Sequence, residues 1–262
     1  MTILTLTTDF GFRSGFAGIM KGVIYGIAPQ VKIVDISHGI APQNIQEGAF
    51  TLWRAAPFFP AGTVHVYVVD PGVGTQRRPL AARLGEHYFV GPDNGLLTPL
   101  VEAAEQAKQP VEFVHLNNPK YWLPKVSRTF HGRDVFAPAG AHLANGISLS
   151  ALGPRFNDPV RLELPHPVKT DTGWTAHISL IDTFGNLTLD LPASALGSRK
   201  EVLFRLRGAE VAGLAASYGH QQPGDLIALV DSEDYLEIAV VNGSAAEQLG
   251  AKVGDTVEVV CL

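Results

Sequence analysis

The sequence has little cysteine, few basic residues and no long apolar run, and each shortage excludes a class of protein. Cys261 is the only cysteine, so an intrachain disulfide and a cysteine-ligated zinc centre are ruled out. The longest apolar candidate is interrupted by Lys21 and falls short of the roughly 18 residues of a membrane helix. Asp and Glu outnumber Lys and Arg by 25 to 20, whereas a general nucleic-acid binder needs a basic face. We therefore expect partners that are neither nucleic acid nor membrane.

The first residues and the composition lead us to expect a folded protein without a signal peptide. Residues Met1 to Asp9 lack the basic region and the small-residue cleavage site of a signal peptide. Apolar residues make up 46% and charged residues 17% of 262 positions, which is too apolar for a disordered chain. The length predicts one or two domains. We expect a cytoplasmic location.

The hydrophobic periodicity predicts two domains of different class. Strand-like runs at 3–7, 31–36 and 63–69 alternate with helix-like stretches that begin near Ser14 and Asn44. This order predicts an α/β N-terminal domain over 1–164 with a mainly parallel central sheet. Two prolines at 164–167 are typical of a linker. Short alternating runs beyond it predict a small all-β barrel domain over 168–262.

Five polar segments between the predicted elements stand out by their residue types. They are Thr8-Asp9-Phe10-Gly11, Asp70 to Arg78, Gly91-Pro92-Asp93-Asn94-Gly95, Thr129 to Asp134 and Asp182-Thr183-Phe184-Gly185-Asn186. Each alone is typical of a turn or a helix cap. However, ligands of parallel sheets bind beyond the carboxyl ends of strands, and Asp9 and Asp70 each come just after a predicted strand. This concentration favours a functional site.

The residue types leave two chemistries open. One is a hard metal ion, as in phosphoesterases, held by Asp9, Asp70, Asp93, His131 and Asp134. Against it, the sequence has no dense ligand motif such as Asp-x-His. The other is a water molecule positioned by Asp70, Arg77 and His131, with Asp9 binding hydroxyl groups of a ligand.

In this order, the five segments closely resemble those of the S-adenosyl-L-methionine (SAM) hydroxide adenosyltransferases, SAM hydrolases related to the SAM-dependent fluorinase and chlorinase. The resemblance runs from Thr8 to the stretch at 237–239. It implies an α/β domain followed by a β-barrel domain, and homotrimers in which SAM lies between the N-terminal domain of one subunit and the C-terminal domain of its neighbour. The implied reaction converts SAM and water to adenosine and L-methionine, with SAM as substrate and no cofactor or metal.

The resemblance also implies roles for residues of the N-terminal domain. The set that handles the water falls on Asp70, Arg77 and His131. Asp9 is implied to bind the ribose hydroxyls. Asp70 or His131 is suited to accept the proton of the attacking water, whereas Arg77 is always cationic and cannot be a base. A carboxylate beside the nucleophile repels halide, so Asp70 together with His131 favours water over fluoride or chloride.

In the C-terminal domain the resemblance implies contacts to the two ends of SAM. It places Phe184 and Asn186 at adenine and Asp182 at the methionine ammonium. Ser232 and Glu233 fall where backbone groups meet the methionine carboxylate. Asn242 is displaced by one position from the family pattern, so we assign its side chain no role. The alternatives are a metal-dependent phosphoesterase and a non-catalytic module that binds SAM or adenosine.

Overall fold

The computed structural model describes residues 2–197, 199 and 201–261. Contacts between residues divide the chain into two units, 1–162 and 163–262, here named the N-terminal and C-terminal units. Each unit has its own buried apolar core. Among the described residues, no helix combines the length and the hydropathy needed to cross a membrane.

The N-terminal unit is built on one sheet with helices on both faces. Its strands are β1 Ile3–Thr8, β2 Lys32–Ser37, β3 Val64–Val68, β4 Pro79–Leu84, β5 His87–Pro92, β6 Val111–His115 and β7 Arg155–Phe156. Its α-helices are α1 Phe16–Ile27, α2 Ile45–Ala55, α3 Thr98–Gln106 and α4 Ala137–Ala144. A π-helical segment, Gly132–Phe136, leads into α4.

The strand order of this sheet is β2-β1-β3-β5-β4-β6-β7. The pairs β1–β2, β1–β3 and β3–β5 are parallel. The pairs β4–β5, β4–β6 and β6–β7 are antiparallel. The sheet is therefore mixed, and the predicted mainly parallel sheet is not confirmed. The reason is local: only Gly85 and Glu86 separate β4 from β5, and two residues make a hairpin rather than a crossover.

Apolar side chains fill both faces of the sheet. One core lies under α1 and α4 and the other under α2 and α3. All five residues of Val64–Val68 in β3 are buried, as expected of a strand covered on both faces. The register pairs Thr8 of β1 with Val68 of β3. The segments that follow these two strands, which carry Asp9 and Asp70, therefore leave the sheet at the same edge.

The two predicted helix starts have different outcomes. At α2, the Asn44 side chain accepts the backbone N–H of Glu47 at 3.1 Å, which confirms the predicted cap. The expectation that Ser14 caps α1 is wrong. The N-cap is Gly15, at a φ of 66° and without a side-chain hydrogen bond. A positive φ suits glycine there, because the chain turns sharply from the preceding loop into the helix.

The C-terminal unit forms a nearly closed antiparallel sheet. Its strands are β8 Val168–Lys169, β9 Gly173–Ile181, β10 Leu187–Pro192, β11 Val202–Leu206, β12 Ala209–Ala212, β13 Leu226–Val230, β14 Tyr235–Val240 and β15 Thr256–Cys261, and the α-helix α5 Ala245–Leu249 lies between β14 and β15. The order is β12-β11-β15-β9-β10-β14-β13, and β8 pairs with β9. The two outer strands, β12 and β13, contact each other. The predicted barrel-like second domain is confirmed.

A buried histidine in β3 makes stability depend on pH. His65 is fully buried between Phe59 and Phe89, with Nδ1 2.8 Å from the hydroxyl of Thr5. Burial, together with the neighbouring His87, lowers the pKa of His65 from 6.5 to about 3. As the pH falls, His65 therefore becomes protonated in the unfolded chain at a higher pH than in the folded chain. Stability is fully present above pH 6.5 and is lost as the pH falls from 6.5 towards 3, by up to about 4 kcal/mol.

We expect urea unfolding at a series of pH values to show this loss. His65→Phe, which keeps an aromatic ring in the site, should flatten the dependence of the unfolding free energy on pH between 6.5 and 3. The exposed His166→Ala is the matched control and should keep the wild-type slope. Equal slopes for the wild type and His65→Phe would contradict the assignment.

Candidate active site

A cavity of about 250 Å³ opens where the chain leaves β1 and β3. Asp9, Asp70 and His131 contribute its charged and imidazole groups, and Phe10 and Phe130 contribute aromatic walls. The cavity lies at the carboxyl ends of parallel strands, where α/β sheets bind ligands. Three segments that are distant in sequence supply these groups.

Asp70, Arg77 and His131 form one connected cluster. Arg77 Nε donates to Asp70 Oδ1 at 2.9 Å, and Arg77 Nη2 contacts Asp70 Oδ2. The same Nη2 lies 3.0 Å from His131 Nδ1. The side chains of Arg77 and Asp70 are 10% and 4% exposed. A two-point contact of this kind fixes both partners, so Arg77 sits between the carboxylate and the imidazole.

The Arg77 contact determines which nitrogen of His131 carries the proton. A guanidinium can only donate, so Nδ1 must accept and is unprotonated. Burial, followed by the positive charge of Arg77, lowers the pKa of His131, although the carboxylates of Asp70 and Asp134 oppose this. The neutral imidazole is therefore favoured, with its proton on Nε2.

Asp9 lies in the turn that follows β1, at the wall of the same cavity. Its Oδ2 accepts the backbone N–H of Gln43 at 2.8 Å. Gln43 has a φ of 65°, a conformation that non-glycine residues rarely adopt and that concentrates at functional sites. Sequence inspection did not identify Gln43, because its contribution is a backbone N–H directed by an unusual dihedral angle.

The loops that carry Arg77 and His131 touch each other at Gly74. This residue has a φ of 77°, and a Cβ there would lie 2.3 Å from the carbonyl oxygen of Arg128. Only glycine permits so close an approach of two backbones. The contact therefore sets the spacing between the segment 70–78 and the segment that ends at His131.

We expect Gly74→Ala to lower kcat by about tenfold to 100-fold for SAM hydrolysis, the reaction that the sequence resemblance implies. A shift of about 1 Å in a group that acts on the substrate has effects of this size. Gly62→Ala is the matched control: Gly62 has a φ of 81°, and a Cβ there would meet nothing within 4 Å. It carries the same dihedral strain without the loop contact. Steady-state kinetics and thermal unfolding of both variants decide the matter. Equal kcat values for the two would remove the role assigned to the contact.

The metal hypothesis is not favoured by this arrangement. Asp93 is paired with Arg78 at 3.0 Å and accepts the backbone N–H of Val160. Asp134 is paired with Arg133 at 2.6 Å. Within the described ranges, no three His, Cys, Asp or Glu side chains come together as a metal-binding group. The five predicted ligands are thus not assembled around one point, and neighbouring arginines engage three of the four carboxylates, those of Asp70, Asp93 and Asp134.

Asp134 instead shapes the loop that leads to His131. Its Oδ2 accepts both the backbone N–H and the hydroxyl of Ser127 at 2.7 Å, and its backbone carbonyl accepts the N–H of Leu123. Arg133 and the two donors of Ser127 lower the pKa of Asp134 despite its burial. A fully buried ionised carboxylate in this position needs all of these partners.

The C-terminal unit contains a second cavity, of about 600 Å³. Three predicted residues line it: Asp182, Phe184 and Asn186. Asp182 Oδ1 accepts the backbone N–H groups of Phe184 at 2.8 Å and Asn186 at 2.9 Å. Asp182 Oδ2 accepts the Asn186 amide at 3.0 Å. This turn leaves the ring of Phe184 76% exposed.

Ser232 and Glu233 lie in the turn between β13 and β14 and are not among the residues that line this cavity. The carboxylate of Asp231 accepts the backbone N–H groups of Glu233 and Tyr235, both at 2.9 Å. The structure therefore orders the backbone of this turn. It does not bring these two predicted residues together with the other three in one cavity wall.

Sequence inspection missed Tyr218, which lines the second cavity. Its hydroxyl donates to Glu237, a residue only 5% exposed, at 2.5 Å. Burial, together with Glu237, raises the pKa of Tyr218 far above its ordinary value, so the phenol stays protonated. No local pattern marks Tyr218, because it lies in an irregular segment and its partner is 19 residues away. Asn242, to which we assigned no side-chain role, also lines this cavity.

Comparison with known proteins identifies the family. Residues 4–153 match the model of the SAM hydroxide adenosyltransferase N-terminal domain, and residues 176–258 match that of the C-terminal domain. This chain belongs to the SAM hydroxide adenosyltransferase family. The resemblance seen in the five sequence segments is thereby confirmed.

Relatives in the SAM hydroxide adenosyltransferase family are similar over nearly their whole length. The (R)-S-adenosyl-L-methionine hydrolase of Salinispora tropica is 39% identical over 98% of this chain and 97% of its own. That of Thermus thermophilus is 37% identical over 94% and 95%. A fluorinase from Actinoplanes is more distant, at 29% identity over 98% and 97%. An uncharacterized conserved protein from Thermotoga maritima has a similar structure, with a TM-score of 0.90, 34% identity and coverage of 99% and 100%.

Proposed function

We propose that this chain hydrolyses SAM to adenosine and L-methionine by attack of an activated water on C5′. The observation that carries the proposal is the Asp70–Arg77–His131 cluster at a cavity on the carboxyl edge of the sheet, in a chain of the SAM hydroxide adenosyltransferase family. Relatives at 37% to 39% identity are named (R)-SAM hydrolases.

The chemistry requires one activated oxygen and little else. As the bond from oxygen to C5′ forms, the bond from C5′ to sulfur breaks, and methionine leaves as a neutral thioether with the electron pair on sulfur. A sulfonium needs no general acid. The demand therefore falls on holding the water in line with the leaving sulfur and on accepting its proton.

We propose that the carboxylate of Asp70 accepts the proton of the attacking water. His131 Nδ1 already accepts from Arg77, and its Nε2 carries the proton, so neither ring nitrogen is available as a base in this arrangement. The Asp70 carboxylate is fixed from one side by Arg77, and each carboxylate oxygen has more than one lone pair. Arg77 is not among the residues that line the cavity, so its positive charge would act on the hydroxide-like water from behind Asp70 and His131.

We further propose that the two cavities bind different parts of SAM. Asp9 would bind the ribose hydroxyls in the N-terminal unit. In the C-terminal unit, Phe184 and Asn186 would contact adenine and Asp182 the methionine ammonium, because that carboxylate is already oriented by its turn. Backbone groups at Ser232 and Glu233 would meet the methionine carboxylate.

The family resemblance leads us to propose a homotrimer in which the N-terminal unit of one copy and the C-terminal unit of another complete each site. Two exposed rings support this: Phe12 next to the Asp9 turn is 80% exposed, and Phe184 is 76% exposed. Co-expressing an Asp70→Asn chain with a Phe184→Ala chain should restore activity in mixed trimers. Activity no higher than in either parent, in a confirmed mixed trimer, would contradict shared sites.

Hydrolysis is tested by incubating the pure chain with each sulfur epimer of SAM in ¹⁸O-enriched water. We expect adenosine and methionine in equal amounts, ¹⁸O in the adenosine, and a faster reaction with the (R) epimer, as the names of the relatives suggest. A chelator should leave the rate of SAM hydrolysis unchanged, whereas it would abolish the activity of a metal-dependent phosphoesterase. Calorimetric binding of SAM without any adenosine would instead indicate a binding module and overturn the proposal.

A further inference from the structure

His38 lies directly behind the turn that carries Asp9, although it does not line the cavity. Its side chain is 2% exposed. It contacts the turn at three points. Nδ1 is 2.8 Å from the hydroxyl of Thr8, the backbone carbonyl accepts the N–H of Gly11 at 2.8 Å, and the ring meets that of Phe12 edge-on, with centroids 5.9 Å apart.

The direction of the hydrogen bond between Thr8 and His38 follows from what lies on the other side of the imidazole. Thr8 Oγ1 accepts the backbone N–H of Phe10 at 3.2 Å. Its own proton is then free to be donated to His38 Nδ1, since a hydroxyl both donates and accepts. Nε2 faces Asp35 Oδ1 at 3.1 Å, and a carboxylate only accepts, so the neutral ring carries its proton on Nε2 and Nδ1 accepts from the Thr8 hydroxyl.

The far side of the imidazole is held by a charged pair. Nε2 lies 3.1 Å from Asp35 Oδ1, near enough for electrostatic attraction, although the ring N–H is too poorly directed for a hydrogen bond. Asp35 Oδ2 in turn pairs with Lys21 at 2.5 Å. Lys21 lies on α1, which begins where the turn ends. The ring thus lies between Thr8, at the start of the turn, and an ion pair that reaches the middle of α1.

Within the turn, the ring of Phe10 packs edge-on against Phe16 and Phe130, with centroids 5.6 Å apart in both pairs, whereas the glycines that follow have no such contacts. Gly11 and Gly15 both have a φ of 66°, and a Cβ at either position would meet nothing within 4 Å. The Asp9 carboxylate is held only at its tip, by the backbone N–H of Gln43, among the contacts the described chain shows for it. Asp9 therefore lies between two anchored neighbours, Phe10 with its aromatic contacts and Thr8 with its contact to His38.

We infer that His38 is a positioning residue for the ribose of the substrate, acting through Thr8 to orient the carboxylate of Asp9. This inference rests on the proposed function and adds a residue outside the cavity to it. His38 touches neither SAM nor the water. Its loss should weaken recognition of the ribose hydroxyls and leave the step at C5′ nearly unchanged, because Asp70 follows a different strand.

Two substitutions separate this role from simple support of the fold. His38→Asn places an acceptor oxygen where Nδ1 stands and keeps the contact to Thr8. His38→Gln places its amide near the Nε2 position and loses that contact. We expect His38→Gln to raise KM for SAM about tenfold with kcat within about threefold, and His38→Asn to remain within about threefold of the wild type for both.

The deciding measurement is calorimetric binding of adenosine and of 2′-deoxyadenosine. In the wild type, the deoxy compound should bind at least about tenfold more weakly. Asp9→Asn should lose this discrimination, His38→Gln should lose it to a similar degree, and His38→Asn should retain it. A purely structural role would lower the melting temperature of both His38 variants and leave the ratio of the two affinities intact.

Two outcomes overturn the inference in different ways. If Asp9→Asn loses the discrimination and a folded His38→Gln retains it, His38 does not position Asp9, and the proposed function stands. If the unaltered chain neither hydrolyses SAM nor binds adenosine, the proposed function fails and this inference fails with it.

Discussion

Replacing Asp70 with asparagine lowers kcat for SAM hydrolysis by about 10³-fold and changes KM only a few-fold, if the carboxylate takes the proton of the attacking water. The amide has nearly the size of the carboxylate but is no base. It also turns an N–H₂ group towards the guanidinium of Arg77, which now meets a donor where it had an acceptor. Both effects act on the reacting oxygen rather than on adenosine.

The experiment needs a variant that removes a carboxylate elsewhere. Asp171→Asn serves, because Asp171 is exposed in the turn before β9. It should have wild-type kcat and KM. Steady-state kinetics on both, with thermal unfolding to confirm folding, gives the answer. A kcat for Asp70→Asn within tenfold of the Asp171→Asn value would assign the proton to another group.

His131→Ala should lower kcat by about 100-fold, and His131→Asn by clearly less. Arg77 Nη2 donates to Nδ1 of the imidazole, and an asparagine places an acceptor oxygen near that position. If His131 acts by orienting Arg77, the asparagine partly rescues the alanine. If His131 is the base, the two variants are equally inactive, and Asp70 is not the group that accepts the proton of the attacking water. His142→Ala, on α4 and in edge contact with Tyr121, is the control.

The pH profile adds a second readout for His131. Burial and the charge of Arg77 lower the pKa of His131 below 6.5, so the imidazole stays neutral at pH 7 and becomes protonated only at more acid pH. We expect the His131-dependent part of kcat/KM to be fully present at pH 7 and to fall only below 6.5. A decline that begins above pH 7 and disappears in His131→Asn would contradict the lowered pKa.

The sequence predicted those features of the candidate site that depend on residues close together in the chain. Strand runs ending at Asp9 and Asp70 placed both at one sheet edge, and Asn44 with Glu47 marked a helix start that the structure has. The direction of β4 was not anticipated, because apolar runs indicate strands but not their pairing. Only the shortness of the connection at Gly85 and Glu86 reveals the hairpin.

The sequence could not show which arginine pairs with each carboxylate. Residue types alone left Asp93 and Asp134 as ligand candidates equal to Asp70, and the difference lies in which arginine each one meets. Tyr218 and His38 were missed for the same reason. Their significance comes from contacts to residues 19 and 30 positions away, which no spacing rule connects.

The strand order also governs how the backbone exchanges its amide hydrogens with solvent. β1 and β3 are paired on both sides, whereas β2 and β7 each lie at a margin of the sheet. Amides of β1 and β3 should therefore take up deuterium last and those of β2 and β7 first. Asp9 and Asp70 stand one and two positions beyond the ends of β1 and β3. The candidate site residues Asp9 and Asp70 thus stand directly beside the strands that we expect to exchange slowest.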